Sequence, residues 1–171
     1  MKKIVIIILM GLILTGCTNK DEKKEMFYNS LGDAYKSVYI TDGMGLPVLA
    51  DENITLDGKV WYKVSSTKYN LIETIENMFN NVFTEEVNKE LKTTLHEKYK
   101  EVDSVLYTLS TGGCMFDYQI DDTLYNNLKK DVKIKKIKSS KIVFEYKGKE
   151  YTAKKDKDNY TFSEKIFVCE Q

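Results

Sequence analysis

The spacing of hydrophobic positions predicts a helix at the start of the folded part of the chain. Its apolar residues recur at intervals close to 3.6, the period of a helix with one buried face. The helix ends before Thr41-Asp42-Gly43, and a stretch with two glycines and the only proline, residues 43–47, follows it. The apolar positions are Phe27, Leu31, Tyr35, Val38 and Tyr39.

Two further helices are predicted by the same spacing. The first covers residues 71–82, and Asn70 precedes it with Glu73 three residues on, as in a capping box. The next begins after Thr84 and carries acidic residues in its first turn, where the helix dipole favours negative charge. The expected buried positions are Leu71, Ile72, Ile75, Met78, Phe79 and Val82 in the first of these helices, and Val87, Leu91 and Leu95 in the second.

Alternation with period two predicts β-strands in the rest of the chain. Residues 53–57 and 60–65 flank Asp57-Gly58, which is typical of a two-residue hairpin turn. Residues 122–128 fit either a helical turn or an edge strand. Helices followed by antiparallel strands predict an α+β fold, with N-terminal helices packed on a mostly antiparallel, bent β-sheet. The later strands are predicted at 105–109, 114–120, 132–138, 141–146, 151–155 and 160–168.

The beginning of the chain has the pattern of a lipoprotein signal. Two lysines precede an apolar run over residues 4–14, which is too short to span a bilayer. Leu14-Thr15-Gly16-Cys17 resembles the bacterial lipobox, in which diacylglycerol is attached to the cysteine sulfur. The sequence predicts a signal peptide over 1–16 and lipidation of Cys17, the alternative being an ordinary signal or anchor with an incidental cysteine. Residues 17–25 then form a flexible polar tether, and 26–171 a single domain.

Charge and cysteine content narrow the classes of partner. The chain has no arginine and its lysines balance its acidic residues, which argues against nucleic-acid binding. Residues 17–125 carry a net charge of −8 and residues 126–171 a net charge of +6. The C-terminal lysines either face an anionic wall polymer or lipid, or keep edge strands from aggregating. Cys114 and Cys169 either form a disulfide or remain as two buried thiols.

Catalytic and metal-binding patterns are absent from the sequence. The only imidazole belongs to His96, on a charged helix, and there is no Gly-x-Ser-x-Gly, His-Glu-x-x-His or Cys-x-x-Cys motif. The adjacent acidic pairs at 85–86 and 121–122 point to different faces, which is poor spacing for metal ligands. We therefore expect no enzymatic activity, no metal and no cofactor, and a protein that acts by binding.

One segment is a candidate for partner binding. Residues 100–104 join the last clear helix to the first strand of the sheet, and a loop there projects acidic groups from a rigid scaffold. The alternative is an ordinary solvated connection. The segment consists of Lys100, Glu101, Val102, Asp103 and Ser104.

The order of these pieces resembles a known family. A helix ending in residues 34–43 precedes a hairpin containing 58–64, then a helix running into Val82-Phe83-Thr84, and then an acidic loop into Val105-Leu106-Tyr107. Over roughly residues 30–168 this is similar to the secreted bacterial inhibitors of cell-wall DL-endopeptidases, the NlpC-type cysteine peptidases that cut peptidoglycan stem peptides. The family's loop is richer in glycine, and a lipid anchor is not universal among its members.

The resemblance implies a non-catalytic inhibitor that covers the Cys–His cleft of such an enzyme through residues 100–104. Lipidation of Cys17 implies a position at the outer face of the cytoplasmic membrane, in an envelope of the Gram-positive type. The alternative function is an envelope lipoprotein that binds a small ligand or wall polymer in an apolar pocket. An inhibitor requires an exposed acidic segment, whereas the alternative requires a sizeable closed pocket.

Overall fold

The computed structural model describes residues 20–109 and 113–168 and confirms the α+β class, with four helices and two antiparallel sheets in those residues. The helices are α1 (Lys20–Thr41), α2 (Ile72–Val82), α3 (Glu85–Lys98) and α4 (Leu124–Asp131). The strands are β1 (Val48–Leu56), β2 (Lys59–Val64), β3 (Tyr99–Val102), β4 (Val105–Leu109), β5 (Lys133–Ile137), β6 (Lys141–Tyr146), β7 (Lys149–Asp156) and β8 (Asn159–Phe162).

Helix α1 is buried on several sides, and the apolar residues predicted for it all lie in the core. Ser30, Ser37 and Thr41 are buried as well. Each of their hydroxyls donates a hydrogen bond to the carbonyl four residues earlier, at 3.1, 2.7 and 3.1 Å. These bonds allow small polar residues to face the core without an unsatisfied group. The helix begins at Lys20, so residues 20–25, predicted as part of a flexible tether, are helical.

Helix α1 also connects the two sheets. Near its start the Phe27 ring lies 4.9 Å from the ring of Phe144 in β6, measured between ring centres. Near its end the Ile40 carbonyl accepts a hydrogen bond of 3.3 Å from the Tyr99 hydroxyl of β3. Phe27 and Ile40 are thirteen positions apart in the helix, which corresponds to about 20 Å along the axis.

The first sheet has the strand order β1-β2-β4-β3, and all its pairs are antiparallel. The hairpin predicted around Asp57-Gly58 is confirmed, since Leu56 pairs with Lys59 and the two turn residues have φ of 52° and 73°. Positive φ at both positions is typical of a type I′ turn. Strand β1 starts at Val48, earlier than predicted, and an irregularity interrupts its register.

The second sheet is a meander with the order β5-β6-β7-β8. The strands predicted at 132–138, 141–146 and 151–155 are confirmed to within two residues, whereas β8 ends at Phe162 rather than at residue 168. The inner face of this sheet packs against α1 and forms much of the core. The buried residues on that face include Ile142, Phe144, Ala153, Tyr160 and Phe162.

The strand predicted over residues 114–120 is wrong. This segment contains no regular strand, and the backbone N–H and carbonyl of Tyr118 both bond to a side chain of α1. The Tyr35 hydroxyl donates to the Tyr118 carbonyl at 2.6 Å and accepts from the Tyr118 N–H at 2.8 Å. The chain just before this segment passes very close to residue 43. Glycine is required there, because a Cβ on Gly113 would overlap the backbone of Gly43. Within residues 122–128, which fit either a helical turn or an edge strand, 124–128 form the first part of helix α4.

Candidate functional site

Residues 100–104 are not a loop, so that prediction is wrong. Tyr99–Val102 form strand β3, which follows α3 directly and pairs with β4 over Lys100↔Tyr107 and Val102↔Val105. Asp103 and Ser104 make a two-residue turn with φ of 51° and 63°. We call residues 99–109 the β3–β4 hairpin. Strand β3 is an edge strand, because β4 is its only neighbour in the first sheet.

Lys100 lies on the outer face of the first sheet. Its Nζ is 3.0 Å from a carboxylate oxygen of Asp57 in the β1–β2 turn and 4.8 Å from the centre of the Trp61 ring. This ammonium therefore joins the two hairpins of the sheet through an ion pair and a cation–π contact. Sequence reasoning missed the contribution of both partners, because each contact bridges strands that are distant in the chain.

Trp61 is unusual for a side chain outside the main hydrophobic cluster, since it is only 3% exposed. Its indole N–H is buried and has no hydrogen-bond partner. A buried donor of this kind costs about 1–3 kcal/mol. The contact between Trp61 and Lys100 is therefore made by the ring and not by the indole N–H.

Glu101 points to the opposite side, towards helix α2. One of its carboxylate oxygens accepts a hydrogen bond of 3.3 Å from the Ile72 N–H in the first turn of α2. The capping box predicted from Asn70 and Glu73 is wrong, because Leu71 is the N-cap residue and no side chain of that segment caps the helix. A carboxylate from the β3–β4 hairpin takes that role, and the helix dipole favours its negative charge there. Of the apolar stripe predicted for α2, Ile75, Met78, Phe79 and Val82 are buried, whereas Leu71 and Ile72 are only partly buried.

Asp103 and Ser104 form the tip of the hairpin. Both are exposed, and their side chains make no hydrogen bond or ion pair with any residue in the described ranges. A non-glycine residue at positive φ is disfavoured by about 1–2 kcal/mol. In the turns 57–58 and 147–148 of the described chain the second residue at positive φ is glycine, whereas here it is Ser104. The tip thus combines backbone strain with an acidic side chain that the fold leaves free.

Two open clefts flank the loop 43–47, close to the base of this hairpin. The larger has a volume of about 430 Å³ and is lined by Tyr39, Met44, Leu46, Tyr69 and Ile120 among others. The smaller, of about 190 Å³, lies between the same loop and residues of α3, β3 and β4. Tyr99 fixes the loop from below, because the Leu46 N–H donates to its hydroxyl at 3.0 Å. Burial raises the pKa of Tyr99 to about 12.

The remaining residues predicted as sites are divided between described and undescribed parts of the chain. Cys114 is disulfide-bonded, and its partner lies outside the described residues. Cys17 and Cys169 both lie outside them, so lipidation of Cys17 and the pairing of Cys114 with Cys169 stay predictions. His96 is exposed, as expected for a charged helix, and its Nε2 is 2.8 Å from Glu76.

The described residues contain no group of three or more histidine, cysteine, aspartate or glutamate side chains arranged to hold a metal ion. Within the same residues, no helix is long and apolar enough to cross a membrane. No family model matches the chain, and no curated protein matches its sequence. We therefore infer the function from the sequence and from the geometry of the β3–β4 hairpin.

Proposed function

We propose that this protein is a non-catalytic surface lipoprotein that binds and inhibits NlpC-type DL-endopeptidases of the cell wall. In this proposal, the tip of the β3–β4 hairpin covers the active-site cleft of the enzyme, and a lipid on Cys17 holds the inhibitor at the outer face of the cytoplasmic membrane. The observation that carries the proposal is the exposed, strained and acidic tip formed by Asp103 and Ser104. Backbone strain of this kind concentrates at functional sites.

The contacts that hold strand β3 in place suit a hairpin tip that competes with substrate for the active-site cleft. Lys100 is tied to Asp57 and stacked on Trp61, while Glu101 is bonded to the start of α2. These contacts hold both faces of β3 and limit the conformational entropy that binding removes. The free carboxylate of Asp103 is then available to a cationic group, such as the imidazolium of a Cys–His pair.

Inhibition by the purified mature chain (residues 17–171) tests the proposal. We expect it to inhibit a wall DL-endopeptidase from the same cell, and Asp103→Asn to weaken inhibition at least tenfold, or about 1.4 kcal/mol. Adding Glu101→Gln removes the second charge while keeping an oxygen that can accept the Ile72 N–H. Added salt should weaken the wild type and have little effect on the double variant.

The matched control is Asp158→Asn, which neutralises an exposed acidic residue in the β7–β8 turn of the second sheet. This variant should inhibit as well as the wild type. Equal inhibition by the wild type and by the Glu101→Gln, Asp103→Asn double variant would exclude the hairpin tip from the contact. Absence of inhibition of any DL-endopeptidase by the folded wild type would exclude the proposed function.

The lipid anchor has its own test. Cys17→Ala should abolish incorporation of a palmitate analogue during growth and release the protein from the membrane fraction. Equal labelling of the wild type and the variant would show that Cys17 does not carry the lipid.

A second candidate function is favoured by the larger cleft beside loop 43–47. Its volume of about 430 Å³ is within the range of small-ligand sites, and apolar side chains predominate in its lining. The cleft is open to solvent and is not the closed pocket that this alternative was expected to require, so the ligand would be an extended or partly exposed one. Native mass spectrometry of protein isolated from the envelope should then detect a bound molecule, and Ser66→Trp, which fills the cleft, should remove it.

A further inference from the structure

The outer face of the second sheet carries three lysines in neighbouring positions. Lys141 in β6 lies directly opposite Lys154 in β7, and Lys136 in β5 pairs with Val143 on the same face. We call Lys136, Lys141 and Lys154 the lysine face. Side chains directly opposite in an antiparallel pair have Cβ atoms about 4.5–5.5 Å apart.

These three ammonium groups have no ion-pair partner among the described residues. Glu145 and Glu150 lie opposite each other at the other end of the strands, where Glu145 pairs with Lys135 at 2.8 Å. Asp156 shares the face of Lys154, two residues further along β7, and forms no ion pair with any of the three lysines. Like charges placed directly opposite in a sheet are destabilising. Protection of an edge strand does not account for the pair of Lys141 and Lys154, because β6 and β7 are the two central strands of the second sheet.

Helix α1 runs from the second sheet to the first. Phe27 contacts Phe144 on the inner face of the second sheet, whereas Ile40 contacts β3 of the first sheet. The first part of α1 therefore lies beside the second sheet, and its last turn lies beside the β3–β4 hairpin. In the sequence, α1 is preceded by the apolar run 4–14 and by the predicted lipid attachment residue Cys17.

The net charge also differs between the parts of the chain that form the two sheets. The part of the chain that includes the first sheet is acidic, with a net charge of −8 over residues 17–125, and the part that includes the second sheet has a net charge of +6. A negatively charged bilayer attracts the second and repels the first. Such a field would orient the molecule with the β3–β4 hairpin pointing away from the membrane.

We propose that the lysine face binds the surface of an anionic phospholipid bilayer, an inference that rests on the membrane attachment included in the proposed function. A lipid on Cys17 alone attaches the protein at one point and leaves the domain free to rotate. The lysine face supplies a second contact with the membrane, and this contact fixes the orientation of the domain. The contact is electrostatic and superficial, with no aromatic or aliphatic residue of that face required to insert.

Binding of the mature chain (residues 17–171), without lipid, to vesicles tests this proposal. All residues of the core cluster lie between Met26 and Phe167, so this chain retains the whole core and every cysteine from position 17 onward. We expect sedimentation with vesicles containing phosphatidylglycerol and not with phosphatidylcholine vesicles. A lysine close to an anionic surface contributes about a fivefold factor in binding, so Lys136→Gln, Lys141→Gln and Lys154→Gln together should weaken it about a hundredfold.

The matched control is a triple variant of exposed lysines outside the second sheet, Lys59→Gln, Lys68→Gln and Lys89→Gln, which changes the net charge equally. It should bind nearly as well as the wild type. Equal losses in the two triple variants, or no preference for anionic vesicles, would overturn the proposal. Binding to a soluble glycerol-phosphate polymer without binding to vesicles would assign the lysine face to a wall polymer and would also overturn it. Because neither lipidation nor an enzyme enters the assay, its failure is distinct from failure of the proposed function.

Discussion

The two sheets of this protein have the same number of strands but differ in how their outer faces are occupied. In the first sheet, Lys100 covers the Trp61 ring and pairs with Asp57, so side chains of the sheet itself satisfy one another. In the second sheet, Lys141 and Lys154 stand opposite each other without an acidic partner in the described residues. The first sheet ends in a strained acidic turn, whereas the outer face of the second sheet carries three lysines that form no ion pair with any described residue. This difference suggests that the two sheets serve different contacts, one with a protein partner and one with an anionic surface.

The inner and outer faces of the second sheet should respond differently to substitution, and a substitution on the inner face gives the largest expected effect. Phe144 in β6 is fully buried and contacts Phe27 and Phe162. Phe144→Ala should lower the free energy of unfolding by about 3–5 kcal/mol in chemical denaturation. Val143→Ala, one residue away on the outer face, should lower it by less than about 1 kcal/mol. Similar losses in the two variants would show that the second sheet does not separate an inner core face from an outer binding face.

The second largest effect on the free energy of unfolding is expected at alkaline pH, through Tyr99 at the junction between α1 and the first sheet. Burial raises the pKa of Tyr99 from about 10 to about 12, which corresponds to about 2–3 kcal/mol of folding free energy. The folded state keeps the neutral phenol, so this contribution is complete below pH 10 and is lost as the pH rises from 10 to 12. Tyr99→Phe should flatten the dependence of unfolding free energy on pH in that range. An unchanged slope in the variant would show that Tyr99 is not among the residues responsible.

The turns of the two hairpins in the first sheet should respond in opposite directions. Ser104→Gly relieves positive φ at the β3–β4 tip and should raise the free energy of unfolding by about 0.5–1 kcal/mol. Gly58→Ala creates the same strain in the β1–β2 turn, where nothing lies within 4 Å of the added Cβ, and should lower it by about 1 kcal/mol. A loss of stability on Ser104→Gly would indicate that the Ser104 side chain stabilises the turn.

The smallest effect is expected at Trp61. Trp61→Phe keeps an aromatic face beneath Lys100 and removes an indole N–H that is buried without a partner. The gain from removing that donor offsets the packing lost with the smaller ring, so the free energy of unfolding should change by less than about 1 kcal/mol. A loss above about 2 kcal/mol would show that the indole N–H is bonded in solution.

Much of the fold follows from local patterns in the sequence. The stripe from Ile75 to Val82 in α2, the turn at Asp57-Gly58 and the alternation in β6 depend on residues close together in the chain, and these three features are confirmed. The α+β class follows from the order of these elements.

The errors have a common physical cause, which is a partner distant in the sequence. Strand β3 was predicted as a loop because four residues with alternating charge become a strand only through pairing with β4. The segment 114–120 looks like a strand, yet the Tyr35 hydroxyl takes the hydrogen bonds of Tyr118. Helix α2 is capped by Glu101, almost thirty residues away, rather than by its own flanking residues. The acidic segment of the candidate site was therefore identified from sequence, but its geometry and its support by Trp61 and Asp57 were not.

The most direct test of the account is to measure which sheet becomes protected when the enzyme binds. Amide hydrogen exchange of the mature chain, alone and with an inhibited DL-endopeptidase, reports this for each segment of the structure. The account predicts slower exchange in residues 99–109 of the β3–β4 hairpin and unchanged exchange in residues 141–156 of β6 and β7. Protection confined to 141–156, with the hairpin unchanged, would contradict the assignment of the first sheet to the protein partner.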